Sequence, residues 1–132
     1  MADDIEDLVH AGYGAFNAGE REPTLEYWHA DGVYVNDAMD PDPATHRGIE
    51  AVRKQYARWV DAYPDLRVEP LEIRVNRDRA FVWVRFSGHG ASSGVPIEME
   101  LAQIVTYEDG RIRSIEEYSD RAEGLKAAGL TE

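Results

Sequence analysis

Apolar residues recur at helical spacing through the first half of the chain and alternate with polar ones through the second, so helices should precede sheet. Ile5, Leu8, Val9, Gly12 and Phe16 share one face of a helix from about Asp4 to Ala18. Asp3 and Glu6 resemble a capping box at its start, and Gly19 follows as a stop. A short second helix is expected, opened by Pro23, carrying Leu25 and Trp28 inward and ended by Asp31-Gly32. Val33 to Asp37 reads as a short strand, with Tyr34 and Asn36 on one face and Val33 and Val35 on the other. Pro41, Pro43 and several acidic residues make Ala38 to Arg47 an irregular loop, and Gly48 leads out of it. The strongest helical stripe follows, formed by Ile49, Val52, Tyr56, Trp59, Val60 and Tyr63 and closed by Pro64.

From Leu66 to about Ser119 the period is two. Leu66 and Val68 share one parity and Leu71, Ile73 and Val75 the other, which predicts a bulge near Pro70. Asn76 to Asp78, Gly90 to Gly94 and Glu108-Asp109-Gly110 then separate strands over Arg79 to His89, Pro96 to Tyr107 and Arg111 to Ser119. A short terminal helix carries Leu125 and Ala128. Helices followed by an antiparallel meander define an α+β class. A long twisted sheet with a bulge curls, and three helices from the N-terminal half closing its concave side would leave a cone around an apolar pocket.

Composition narrows the chemistry. The 132 residues, 43 % of them hydrophobic and free of repeats or linkers, suit one domain over residues 1–132. With no cysteine, disulfides, thiolate metal sites and cysteine nucleophiles are excluded. A net charge of −12 with scattered cations does not suit a phosphate backbone, so nucleic acid is not an expected partner. Met1 to Asp7 is acidic and no stretch reaches membrane-spanning length, which points to a cytoplasmic protein without a membrane partner. His10, His29, His46 and His89 lack metal-ligand spacing, and Asp37, Asp40 and Asp42 do not form a calcium loop. Neither a metal nor a cofactor is expected, and no Gly-rich phosphate loop or Gly-x-Ser-x-Gly elbow occurs.

The order of elements, with Gly-Ile-Glu-Ala-Val at 48–52, Glu-Asp-Gly-Arg-Ile at 108–112 and Glu-Glu-Tyr-Ser-Asp at 116–120, resembles the SnoaL-like division of the nuclear-transport-factor-like superfamily over nearly the whole chain. That resemblance implies a cone-shaped pocket, homodimers built on the outer sheet face, and activities that include polyketide cyclases, ketosteroid isomerases and limonene-type epoxide hydrolases. Two motifs are similar to the epoxide hydrolases. Tyr34-Val35-Asn36 matches their Tyr-x-Asn, and Glu117-Tyr118-Ser119-Asp120 resembles their Asp-Tyr-x-Asp with Glu in place of the catalytic Asp. In those enzymes the Tyr, Asn and carboxylate hold the attacking water while an Arg-x-Asp pair protonates the epoxide oxygen. Here the aligned residues are Arg85-Phe86-Ser87, which keep the Arg and replace the acid by Ser87.

Strand alternation puts Ile115, Glu117 and Ser119 on one face, which the resemblance makes the pocket face. A carboxylate in an apolar cavity has its pKa raised and can act as a general base, so Glu117 is the leading catalytic candidate. The alternatives are that Glu116 faces inward or that both carboxylates are solvated. Tyr34 and Asn36 could orient water or a substrate carbonyl, or Tyr34 could be core and Asn36 the start of a loop. Arg85 could face inward to Glu117 or an anionic group, with Trp83 beside it, or lie on the outer face in a dimer salt bridge. Trp28, Tyr56, Trp59, Met99 and Leu101 are candidate walls, and Gln103 is a polar group on their face. His46 at the expected rim and His89 could exchange protons, although a lone histidine is more often a surface residue.

These readings converge on a cofactor-independent acid-base enzyme, an isomerase, cyclase or epoxide-type hydrolase, for a small, mostly apolar organic molecule. Two rivals remain: a non-catalytic ligand carrier or sensor using the same pocket, in which Glu117 lies outside the cavity or is neutralised by Arg85, and a dimeric interaction module using the outer sheet face.

Overall fold

The alternating half of the chain builds the body of a sheet. The computed structural model describes residues 2–19, 24–36 and 45–131. In chain order they form α1 (Ala2–Asn17), β1 (Trp28–Val35), β2 (Thr45–Arg47), α2 (Ile49–Ala62), β3 (Arg67–Asn76), β4 (Arg79–His89), β5 (Pro96–Glu108), β6 (Arg111–Tyr118) and α3 (Arg121–Ala127). The strands form one curled, unclosed sheet in the order β2-β1-β6-β5-β4-β3. Every neighbouring pair is antiparallel except β1 and β6, which run parallel. The register of β3 on β4 shifts between Pro70 and Glu72, where the change of parity predicts a bulge. Because β3 is an edge strand, the missing N–H of Pro70 is tolerated there.

The sheet buries both of its faces, but against different partners. Ala80, Val82, Val84 and Phe86 of β4 point into the concave side, where they join Val9 of α1 and Val52 and Tyr56 of α2. Phe81, Ala102 and Ile104 point the other way and are covered by Leu125 and Ala128. Asn17 ties α1 to the sheet: its amide donates to the Val68 carbonyl and accepts from the Val68 N–H, both at 2.8 Å. No helix among the described residues is long and apolar enough to cross a membrane.

The first half departs from the pattern reading in three places. Helix α1 begins at Ala2, ahead of the expected start at about Asp4. Trp28 opens β1 instead of lying on a helix, and Asp31-Gly32 falls inside that strand, where the register against β6 shifts. Gly32 permits this, since a Cβ there would stand 2.5 Å from a ring carbon of Trp28. The indole folds back over its own strand. Thr45 to Arg47, expected as the end of the loop, forms β2 and pairs with β1 through Val33 and Arg47. Thr24 and Leu25 make a helical turn. Pro23, and the loop positions Asp37, Asp40 and Asp42, lie outside the described residues.

Candidate active site

Five described polar side chains are buried: Thr24, Asn36, Gln55, Gln103 and Glu117. Burying a polar group is costly without partners, so where such groups gather is informative. Four of the five form one hydrogen-bonded cluster. Strand pairing accounts for the placement: Gln103 of β5 lies directly across from Glu117, and on the other side Tyr34 of β1 is paired with Ile115 of β6. The inward parity of three adjacent strands therefore meets at the Glu117 carboxylate.

Glu117 is 8 % exposed. Its Oε2 accepts from the Tyr34 hydroxyl at 2.5 Å and from Gln103 Nε2 at 3.0 Å, and Gln103 Nε2 is also 2.7 Å from the Tyr34 oxygen. Asn36 Nδ2 lies 3.5 Å from Oε1, a longer and weaker contact. Beyond it, Asn36 Oδ1 faces His46 Nε2 at 2.9 Å and Gln55 Nε2 at 3.5 Å, and Gln55 in turn accepts from Arg58. An ionised carboxylate can only accept, so it fixes the Asn36 amide with its nitrogen towards Glu117. His46 must then carry its proton on Nε2. On the far side, the Tyr13 hydroxyl donates to Gln103 Oε1. Burial first, and then the charge of Glu117, raises the pKa of Tyr34 well above that of an ordinary phenol, so Tyr34 stays a donor.

Beside this cluster lies a largely apolar cavity between α1, α2 and the concave sheet face. Tyr34 and Gln103 line it, as do Trp28, Tyr56 and Trp59. Its volume is about 40 Å³. The rings stand in two sets. Trp28 and Tyr34 are 30° apart and Tyr56 and Trp59 35° apart, while Tyr34 meets Tyr56 at 83° and Trp59 at 75°. The Trp28 indole N–H is satisfied by the Tyr56 hydroxyl at 3.1 Å.

Several expected site residues are elsewhere. Arg85 lies on the outer face, where its guanidinium pairs with Glu100 at 3.0 Å and approaches Glu69 and Glu98 at 3.8 Å each. Trp83 shares that parity and donates to Glu100 at 2.9 Å. Both follow from Phe86 turning inward, which sends Arg85 and Ser87 outward. Met99 has the inward parity but is 54 % exposed near the start of β5 and does not line the cavity. Leu101 is buried core that does not reach the cavity wall. His46 touches Asn36 instead of lining the cavity. Among the competing carboxylates, Glu116 accepts from Tyr118 at 3.2 Å and Asp120 caps α3. His89 pairs with Asp65 at 2.7 Å, far from the cluster in the chain's topology, at the end of β4.

Pattern reading passed over Tyr13 and Gln55. Tyr13 follows Val9 by four residues and precedes Phe16 by three, so it belongs to the inner stripe of α1. Gln55 is an amide inside the Val52, Tyr56, Trp59 stripe of α2, 2 % exposed, and that polar interruption was the available signal. Among the described residues no group of three His, Asp or Glu side chains is placed to hold a metal ion. The arrangement holds a buried carboxylate at a fixed orientation, one hydroxyl away from an aromatic cavity.

No curated protein matches the sequence. Solved structures do match in fold. A protein from Catenulispora acidiphila with a ketosteroid isomerase-like fold, in complex with trimethylamine, is 21 % identical, with 93 % of this chain and 92 % of that one covered at a TM-score of 0.75. A candidate polyketide cyclase from Sinorhizobium meliloti is 26 % identical over 89 % of this chain and 99 % of that one, at a TM-score of 0.71. TerC, co-crystallised with polyporic acid, is 18 % identical over 96 % and 98 % of the two chains, at a TM-score of 0.76. Residues 9–115 match the model of the SnoaL-like domain, and the chain belongs to that family.

Proposed function

We propose that the protein is a cofactor-independent acid-base enzyme acting on a small, mostly apolar organic molecule, with Glu117 as the base. The observation that carries this reading is the convergence of Tyr34, Gln103 and Asn36 on the buried Glu117 carboxylate beside an aromatic cavity. A carboxylate so held accepts a proton from a carbon acid or a water and returns it to another atom of the substrate, as isomerisation and cyclisation require. Tyr34 retains its proton and is suited to follow the charge that develops on Glu117 during the transfer. Epoxide hydrolysis is the less favoured branch, because Arg85 and Ser87, aligned with its proton-donating pair, are turned to the opposite face of the sheet. The candidate polyketide cyclase from Sinorhizobium meliloti supports the cyclase or isomerase branch.

The test compares native protein with Glu117→Gln on ketosteroid-like enones, polyketide precursors and terpene epoxides. A general base contributes roughly 10²- to 10⁴-fold, so turnover should fall by at least about a hundredfold; equal turnover in both removes Glu117 as the base. A second reading, a non-catalytic ligand carrier, draws on one observation: Tyr34 and Gln103 line the cavity and Glu117 lies behind them. It requires that every substrate of the panel bind unchanged.

A further inference from the structure

The cavity's polarity points to a charge on its ligand. The donors of the site run in one direction: Tyr13 donates to Gln103, Gln103 to Tyr34 and Glu117, and Tyr34 to Glu117. Two of these bonds end on the carboxylate, one on the Gln103 amide oxygen and one on the Tyr34 oxygen. What Tyr13 and Tyr34 still present to the cavity is oxygen lone pairs, and the charge nearest to Tyr34 is the carboxylate it bonds. Tyr56 and Tyr107 keep hydroxyl protons, but no Lys, Arg or His occurs among the described residues that line the cavity. The remaining walls are aromatic and aliphatic, with Phe16, Trp28, Trp59 and Phe86 among the rings that line them. Ring faces are negative and attract cations, most strongly at Trp and in water-poor sites. The net charge of −12 raises the local concentration of cations as well.

We infer that the cavity binds a small alkylated ammonium group, either the ligand itself or the charged end of one. The fold alone does not decide the charge: of the related structures, one holds trimethylamine and another an acid. This inference rests on the reading of the cavity as the ligand site but not on Glu117 acting as a base.

The experiment titrates the native protein with four compounds of similar size: trimethylammonium, tetramethylammonium, neutral tert-butanol and anionic pivalate, at fixed ionic strength. Calorimetry and the fluorescence of Trp28 and Trp59 report binding, with Trp83→Phe removing the signal of the outer face. Both cations should saturate the protein in the millimolar range or below and bind at least tenfold more tightly than tert-butanol or pivalate. Tetramethylammonium has no N–H, so its binding isolates the ring and charge contribution. Trp59→Leu should weaken both cations about tenfold and leave tert-butanol within about twofold, with circular dichroism confirming that the variant is folded. Should it not fold, Glu117→Gln serves instead, with a similar loss for the cations alone. Equal affinity for tert-butanol or pivalate, or no binding of either cation, overturns the inference. Binding is read at equilibrium, so selective cation binding with unchanged turnover in Glu117→Gln would sink the catalytic reading and spare this one.

Discussion

At the scale of single residues, the Tyr34 and Tyr13 hydroxyls offer an internal comparison. Tyr34 donates to a carboxylate and Tyr13 to an amide oxygen, and both side chains line the same cavity. A hydrogen bond to an ionised group is worth roughly 1.5–3 kcal/mol and a neutral one about 0.5–1.5 kcal/mol. Tyr34→Phe should therefore destabilise the protein by about 1–3 kcal/mol in urea unfolding, and Tyr13→Phe by about half of that or less. Equal costs would show that the bond from Tyr34 to Glu117 is worth no more than the one from Tyr13 to the Gln103 amide. The pH dependence follows from the direction of the Tyr34 shift. With its pKa raised by burial, the phenol stays protonated through the alkaline range, so its hydrogen bond should not limit stability below the pH at which exposed tyrosines ionise. Ultraviolet titration of Tyr34→Phe against native protein should show no tyrosine lost from the fraction that ionises near its ordinary value.

At the scale of elements, α3 tests how the outer face of the sheet is covered. Asp120 caps it by accepting from Ala122 N at 3.0 Å, so Asp120→Ala should cost about 1 kcal/mol and Asp120→Asn much less. Gly124 is the sharper probe. A Cβ there would stand 2.6 Å from the Cβ of Ala102 and 3.2 Å from the Phe81 ring. For an undocked helix Gly→Ala stabilises by roughly 1 kcal/mol, whereas against a packed sheet the overlap costs about 1–3 kcal/mol. Gly124→Ala should lower the urea midpoint, and a raised midpoint would show that α3 does not pack on Phe81 and Ala102. The same covering explains what was hard to read in the sequence. Alternation located β3 to β6 and the bulge at Pro70, because one-faced burial leaves a period of two. On β4 it could not say which parity faces inward, since Phe81 under α3 is as buried as Val82 on the concave side. Arg85 and Trp83 were ambiguous for that reason. On β6 the buried parity changes between Ile112 and Ile115, and from there Glu117, not Glu116, is the buried carboxylate, a choice alternation left open. Trp28 was not legible either, since a bulge and a glycine contact set its place, and neither leaves a periodic signal.

At the scale of the whole molecule, excess negative charge and a few well-placed carboxylates should push stability in opposite directions as pH changes. With 26 acidic and 14 basic residues, the folded chain repels itself at neutral pH, and protonation relieves that repulsion. Against this, Asp65 is held below its ordinary pKa by hydrogen bonds from the His89 side chain and backbone, and Glu100 by those from Trp83 and Arg85. A carboxylate whose folded pKa is depressed stabilises the fold above its unfolded value and loses that contribution as pH falls through the folded one. Both groups are exposed, so each contribution is small and screened by salt. The thermal midpoint should therefore rise modestly from pH 8 to about 5.5 and fall below about pH 4, where free carboxylates titrate. Glu100→Gln should flatten that acid limb while leaving the neutral-to-mild-acid rise in place. Added sodium chloride should raise the midpoint at pH 8, where repulsion dominates, and change it little near pH 5. A midpoint at pH 8 that is indifferent to salt would show that the charge excess is already dispersed among local ion pairs, such as the one Arg85 makes across β3 to β5.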